Sequence, residues 1–318
     1  MNRVQRVAII GAGTMGRRIA FGCVVRGVEA CLFDTSADAP KVAVKQVRAL
    51  VQRHERKRRV KARTLNPAMK RLTTADSLQE CVSDADLVME TVPENVELKK
   101  RVLEEIGRHA APGVFVGTNT SSIPGSWLAP STGRPEKFFN ANFGGPDDRK
   151  VEVMGHPGTA AETLAAALGW IRSLGLVPIV VKRENMGYAT NRVWRAVKKE
   201  VLHLLDGGYM SAEDIDRGWM LDWGTPCGPC GLMDKIGLDV VRDIEMIYFR
   251  ESGDPADEPP PLLGRMIREG KLGLKSAVGF YKYPRPAYEQ RGWLEGERTA
   301  RHQNRNTKGT SSAKVREK

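Results

Sequence analysis

The chain has 318 residues, 41% of them hydrophobic, and a formal net charge of +12. That length supports two domains with separate cores. The apolar runs are short, against the roughly 20 residues a membrane-spanning helix needs, so no membrane partner is expected.

The positive charge is concentrated. "RHERKRRVKAR", Arg53 to Arg63, holds seven basic residues and one acidic. Arg285 to Lys318 holds nine basic and four acidic, a net +5. Such a balance suits anionic partners. The last stretch contains "NRNTKGTSSAK", polar and without apolar period, so 285–318 is expected to be a disordered basic tail. It offers only Tyr288 and Trp293 for base stacking and no nucleic-acid motif, so no nucleic acid is expected as partner. The start "MNRVQRVAIIGAG" lacks signal-peptide features, and with five cysteines a reducing cytoplasm is the expected location.

In chain order, "RVAIIGAGTMG" is an apolar run entering a Gly-rich turn, "RRIAFGCVVRGV" has helical spacing, and "EACLFD" is a second strand ending in an acid. This is a β-α-β unit. Residues 40–75 read as a charged, exposed helical excursion. "ADLVMETVP" predicts a strand, "NVELKKRVLEEIGRHA" an amphipathic helix, and "VFVGTNTSS", "KFFNANF" and "KVEVMG" further strands. "AETLAAALGWIRSLG" then reads as a helix before the strand "VPIVVK". Alternating strands and helices argue for a doubly wound, mostly parallel sheet. From Asn185 the patterns are helical, with Ser211 as the N-cap of "SAEDID". The chain therefore divides into an α/β Rossmann domain over 1–184, an all-α domain over 185–284, and the tail.

"GAGTMG" places Gly11, Gly13 and Gly16 as G-x-G-x-x-G between a strand and a helix, with Asp34 closing the next strand 18 residues past Gly16. In that context the motif points to a dinucleotide. The first glycine permits the tight turn, the second lets backbone approach a pyrophosphate, and the third lets helix pack on strand. Thr14 and Met15 open the helix whose amides and dipole face the phosphates. Asp34 is suited to the adenosine ribose hydroxyls and would repel a 2′-phosphate, which favours NAD over NADP.

These residues, with "ETVPENVELKK", "TNTSS", "NRVWRAVKKE", "DIDRGWMLDWGTPCGPCGLMDKIGLD" and "GLKSAVGFYKY", resemble the short-chain L-3-hydroxyacyl-CoA dehydrogenase family over about residues 4 to 283. The resemblance implies an NAD-binding domain, a helical domain that binds acyl-CoA and forms a homodimer, and oxidation of the acyl chain's 3-hydroxyl. It places Glu94 and Lys99 along the nicotinamide side of NAD, Asn119 beside the cofactor, Ser121 on the reacting oxygen, and Asn191 near the substrate carbonyl. In the absence of the resemblance, Glu94 and Lys99 read as a surface pair, Ser121 and Asn119 as strand-end turn residues, and Asn191 as a helix cap.

The family's catalytic pair is a His that takes the alcohol proton and a Glu that orients it. Ungapped alignment of "RPEKFFNANFGGP" puts Asn142 at the His and Pro146 at the family's Pro, and "VEV" puts Glu152 at the Glu, across a loop two residues shorter than usual. An amide does not accept a proton near neutral pH. The sequence leaves several replacements open: Glu152 as the best candidate base, directly or through water; Asp147 or Asp148 from the short loop; and, less favoured, His156. It equally leaves open a protein that binds NAD(H) or acyl-CoA with impaired catalysis, and a dehydrogenase for another 3-hydroxy acid read by Arg149 and Lys150. Cys227 and Cys230 form a C-x-x-C better read as small buried residues than as a metal or redox site. The basic run 53–63 reads either as a solvated face or as an attractor for CoA phosphates.

Overall fold

A computed structural model describes residues 4–145 and 147–296. Two compact units divide between Thr190 and Asn191. The first is built on one sheet: β1 (Arg6–Ile10), β2 (Glu29–Phe33), β3 (Leu72–Thr74), β4 (Leu87–Glu90), β5 (Phe115–Thr118), β6 (Phe138–Phe143), β7 (Lys150–Met154) and β8 (Val177–Val181). The spatial order is β3-β2-β1-β4-β5-β6-β7-β8. All neighbours pair parallel except β6 and β7. The α/β, Rossmann-type reading of the sequence is therefore correct.

The strands are apolar because helices cover both faces. Val7, Ala8 and Ile9 of β1 and Leu87, Val88 and Met89 of β4 are wholly buried. The covering helices are α1 (Thr14–Val25), α2 (Ala39–Arg56), α3 (Leu65–Lys70), α4 (Leu78–Val82), α5 (Val96–His109), α6 (Gly125–Leu128) and α7 (Ala161–Ser173). α5 shows why such a charged sequence still forms a packed helix. Asn95 caps it by accepting from Leu98 N at 2.9 Å, and Lys99, Leu103 and Ile106 lie on its buried stripe. The strand order reverses between β1 and β4, so a crevice opens at the carboxyl ends of those strands.

The segment 40–75 departs from the sequence reading. α2 is not merely exposed: Ala43, Val47 and Val51 are wholly buried, and the segment ends in the edge strand β3, which pairs with β2. Its charged residues sit on the outer face and hide an apolar stripe.

The second unit comprises α8 (Thr190–Asp206), which starts at the division, α9 (Ala212–Trp223), α10 (Pro229–Ile236), α11 (Leu238–Ser252) and α12 (Pro261–Arg268). Ser211 caps α9 as expected, accepting from Asp214 N at 3.1 Å. Two buried carboxylates organise this core. Asp216 accepts from the amides of Cys230 and Gly231 and from the Tyr281 hydroxyl. Asp234 accepts from the amides of Phe280 and Tyr281 and the Tyr283 hydroxyl.

The expected tail begins too early. Tyr288 and Trp293 are 5% and 3% exposed and belong to the helical core. Arg217 stacks on the Trp293 ring and donates to its carbonyl at 3.0 Å. Two aromatic anchors outweigh the polar composition around them. The rest of the expected tail, 297–318, lies outside the described residues.

Candidate active site

The Gly-rich turn joins β1 to α1 under close packing. Gly11 has φ +106, and a Cβ there would stand 2.9 Å from Thr91 backbone. A Cβ on Gly16 would stand 1.9 Å from the Gly11 carbonyl oxygen. Gly13 differs: a Cβ there would meet nothing within 4 Å. So Gly11 and Gly16 serve the fold, and Gly13 keeps backbone bare towards open space. α1 has no side-chain N-cap and no acid in its first turn, which leaves its positive end for an anion.

Asp34 closes over this turn. Its Oδ2 accepts from Ala12 N at 2.8 Å and its Oδ1 from Ser36 N at 2.9 Å. Each oxygen retains a lone pair for a ribose hydroxyl. A cleft of about 1030 Å³ runs from here, lined by Gly11, Gly13, Thr14, Met15, Asp34, Glu94, Asn119, Ser121 and Asn142 among others. Bare backbone at Gly13, an unneutralised helix end and a carboxylate at the rim fit a dinucleotide without a 2′-phosphate.

Glu94 organises the far wall. Its Oε1 accepts from the Thr120 hydroxyl at 2.6 Å, the amides of Ser121 and Ser122 at 2.9 and 3.1 Å, and the Ser122 hydroxyl at 2.9 Å. Burial would raise its pKa, but the Thr120 hydrogen bond and the Lys99 charge outweigh it and hold the carboxyl below its ordinary value. The loop after β5 is thus wrapped around an ionised carboxylate, which leaves Ser121 exposed at the cleft wall. Asn119 also lines the cleft, and its Oδ1 accepts from Phe143 N at 3.1 Å, tying β5 to the end of β6.

Lys99 is neither a surface residue nor a cleft residue. It is wholly buried and donates to both Glu90 oxygens at 2.9 and 3.0 Å, to Val92 O at 3.2 Å and to Asn119 O at 3.1 Å. Its Nζ is 3.7 Å from Glu94. The sequence placed it on the cofactor, whereas the structure puts it beneath the cleft, clamping the ends of β4 and β5. Spacing along α5 could not reveal this, because the partner, Glu90, is a strand residue.

On the other side of Asn119 stands the β6–β7 hairpin. Antiparallel register sets Asn142 directly opposite Glu152, so their side chains share one sheet face. Asn142 lines the cleft. Glu152 is 1% exposed and does not line it. Its Oε1 accepts from Thr190 N at 2.9 Å and Ala189 N at 3.2 Å, and its Oε2 has no hydrogen-bond partner. The positions of the expected pair are therefore adjacent, but Glu152 is a fixed interior carboxylate and not a base standing in the cleft.

The loop acids are committed elsewhere. Asp147 pairs with both Arg53 and Arg59, and Asp148 folds back, its Oδ2 accepting from Gly145 N at 2.6 Å. Arg18 fixes the same loop, donating to Gly145 O and Asp148 O at 2.9 Å. Neither aspartate lines the cleft, so neither replaces the base, and part of the basic run 53–63 is spent on the loop. His156 is also committed: Gly158 N donates to Nδ1 at 3.1 Å and Nε2 meets Pro135 O at 2.9 Å. Asn191 is the second residue of α8 and belongs to the helical unit. Pro146 lies outside the described residues.

Cys227 and Cys230 are 2% and 0% exposed. Burial, then the nearby Asp216, pushes the Cys230 thiol's pKa up, away from a reactive thiolate. One residue escaped the sequence reading. Tyr188, at φ +54, is fully buried with its hydroxyl unpartnered. Lys150 opens β7 with its ammonium 3.9 Å from Glu152 Oε2. The sequence reading set Lys150 toward a substrate acid, whereas the structure pairs it with Glu152, two residues on along β7 and so on the same face.

Residues 6–184 match the family described as 3-hydroxyacyl-CoA dehydrogenase, NAD binding domain, and residues 187–283 match 3-hydroxyacyl-CoA dehydrogenase, C-terminal domain. A 3-hydroxybutyryl-CoA dehydrogenase of Bradyrhizobium diazoefficiens is 31% identical over 282 residues, covering 88% of this chain and 96% of that protein. The human mitochondrial hydroxyacyl-coenzyme A dehydrogenase is 29% identical over 288 residues, covering 88% and 91%. Among solved structures, the (S)-3-hydroxybutyryl-CoA dehydrogenase of Ralstonia eutropha superposes with a TM-score of 0.82 at 32% identity, covering 89% of this chain and all of that one.

Proposed function

The chain belongs to the 3-hydroxyacyl-CoA dehydrogenase family of NAD-binding oxidoreductases, and we propose that it interconverts a 3-hydroxyacyl-CoA and a 3-oxoacyl-CoA without a histidine base. Bound NAD supplies the hydride acceptor. Gly11, Gly13, Thr14, Met15 and Gly16 form the turn that holds its phosphates, and Asp34 takes the ribose. Glu94 and Asn119 shape the wall on the nicotinamide side. Ser121 gives the reacting oxygen a hydrogen bond, Asn142 offers its amide, and the resemblance gives Asn191 a place by the substrate carbonyl. Glu152 stands as a fixed carboxylate opposite Asn142, where its field favours positive charge developing beside the reacting oxygen.

The observation that carries this reading is the single cleft that unites the Gly-rich turn, Asp34, Ser121 and Asn142, with Asn142 in register with the buried Glu152. The test is loss of nicotinamide absorbance when NADH is mixed with acetoacetyl-CoA. Turnover is expected, and Glu152→Gln should cut kcat by about 100-fold, within the range of proton-transfer catalysis, while NADH affinity holds. NADH binding without turnover across acyl-CoA chain lengths would instead support a binding protein, the reading that the amide at 142 favours.

The homodimer is likewise a proposal. Val240, Ile244 and Ile247 lie at helical spacing on α11 and are 41%, 36% and 55% exposed. An apolar stripe of this kind supports pairing of two copies, which sedimentation equilibrium checks. A monomer at tens of micromolar would sink it.

A further inference from the structure

We propose that Arg101 grips the adenine of NAD, its planar guanidinium stacked on the base at the end of the cleft beyond Asp34. The inference rests on the cofactor half of the reading above and not on the chemistry at Asn142.

Three observations converge on it. The first is position: Arg101 lines the cleft, and among the described residues it is the one basic side chain that does. The second is its setting. Leu98, Arg101, Val102 and Glu105 line the cleft three and four residues apart on α5, so they share one face of that helix. Phe33, which ends β2, and Leu78, which opens α4, line the same cleft. Phe33, Leu78, Leu98 and Val102 are each half-buried, so each keeps apolar surface for a ligand. Arg101 thus stands at an apolar slot.

The third observation is that Arg101 is uncommitted. The acids four residues to either side of it are engaged: Glu97 pairs with Lys100, and Glu105 pairs with Arg108 and His109. Such acids would otherwise neutralise an arginine on a helix surface. Among the described residues no ion pair reaches Arg101, and its five donors and its charge remain available.

The path of the dinucleotide selects the ligand. The Gly-rich turn takes the pyrophosphate and Asp34 the adenosine ribose, and Glu94 stands in the nicotinamide wall. α5 starts at Val96, two residues past Glu94, and Arg101 lies about 8 Å along the helix from there. The base that follows the Asp34 ribose therefore meets the Phe33, Leu78 and α5 side of the cleft. Adenine presents two π faces. The apolar slot covers one, and a guanidinium, flat and weakly hydrated, covers the other. The charge is not kept for a 2′-phosphate, because the Asp34 carboxylate repels that group.

The test is fluorescence titration of the full chain with NADH, NADPH and reduced nicotinamide mononucleotide, which lacks the adenylate half. Arg101→Ala should weaken NADH about tenfold and leave the mononucleotide unchanged. Arg101→Tyr, a flat face without charge, should keep most of the NADH affinity. Arg101→Lys, a charge without the plane, should lose nearly as much as alanine. Unchanged NADH affinity in Arg101→Ala overturns the proposal, and so does a loss shared with the mononucleotide, which marks a general effect on the cleft. Affinity kept by lysine and lost by tyrosine marks a contact to phosphate and overturns it as well. A greater loss for NADPH than for NADH does the same, placing the contact on the 2′-phosphate. Because the readout is binding, the two readings fail separately. Wild-type protein that binds NADH but turns over no acyl-CoA overturns the dehydrogenase reading, whereas active wild type with indifferent Arg101 variants overturns only the adenine contact.

Discussion

Two lysine–glutamate pairs stand at the ends of strands in one sheet. Lys99 and Glu90 are both wholly buried. The Lys99 ammonium is saturated by two carboxylate oxygens and two carbonyls, and Glu90 also accepts from Val92 N and the Thr118 hydroxyl. Lys150 and Glu152 differ, although Glu152 is buried as Glu90 is. The ammonium is half exposed and 3.9 Å away, and one carboxylate oxygen has no hydrogen bond. A saturated pair has nothing to offer a ligand and acts as a clamp. An unsaturated pair retains both charge and free valence, although neither Lys150 nor Glu152 lines the cleft. Satisfaction of hydrogen-bonding capacity, more than residue type, separates these two ion pairs.

The largest effect should come from breaking the clamp. Lys99→Met leaves Glu90 charged and buried without its partner, a change that typically costs about 3–5 kcal/mol. Urea unfolding followed by far-UV circular dichroism should show that loss. Lys150→Met should cost less by the same measurement, because its ammonium is half exposed and 3.9 Å from the carboxylate. Similar losses for the two variants would erase the distinction drawn between them.

The glycines of the turn sharpen the same contrast without charge. Gly16→Ala forces a Cβ to 1.9 Å from the Gly11 carbonyl, and overpacking of that kind costs about 1–3 kcal/mol of stability. Gly13→Ala points its methyl into open space, so unfolding should be unchanged while NADH affinity falls. Isothermal titration beside the urea curves distinguishes them. An equal stability loss at Gly13 would mean that it too serves the fold. Asp34 falls between these cases, since it both holds the turn and faces the cleft. Asp34→Ser should weaken NADH by about 1.4 kcal/mol, tenfold, and narrow the gap to NADPH. A gap as wide as in wild type would remove Asp34 from cofactor selection.

What was legible in the sequence follows the same division. The strand–turn–helix context of "GAGTMG" and the acid at 34 are local patterns, and local patterns specify the Rossmann turn almost completely. Asn142 and Glu152 took their places in the expected pair from the family resemblance, and the antiparallel register of β6 and β7 sets them opposite one another. The fate of a charged side chain is not local. Lys99 looked like part of an exposed helix start until Glu90, nine residues earlier on a strand, met it in the interior. Asp147 looked free to enter the site until Arg53 of α2 and Arg59, just past its end, reached it from some ninety residues away in sequence. Tyr288 and Trp293 were hidden in basic, polar sequence, although buried aromatic anchors need no periodic pattern around them.

The smallest effect concerns that last ion cluster. Asp147 is 46% exposed and is held by Arg53 and Arg59. Slight burial would raise its pKa, but Arg53 and then Arg59 prevail and hold the carboxyl below its ordinary value. A carboxyl depressed in the folded state contributes stability that is fully present above its unfolded pKa of about 3.9. That contribution is lost as pH falls through the lower, folded value. Asp147→Asn should therefore cost no more than about 1 kcal/mol at neutral pH, with the difference shrinking in high salt. The difference should vanish in acid, where the wild-type carboxyl is also neutral. Because Asp147, Arg53 and Arg59 hold the shortened β6–β7 loop and none of them lines the cleft, kcat should stay near wild type. A large fall in kcat would show that the loop's anchorage reaches the site, and it would tie the cleft to the basic run at the end of α2.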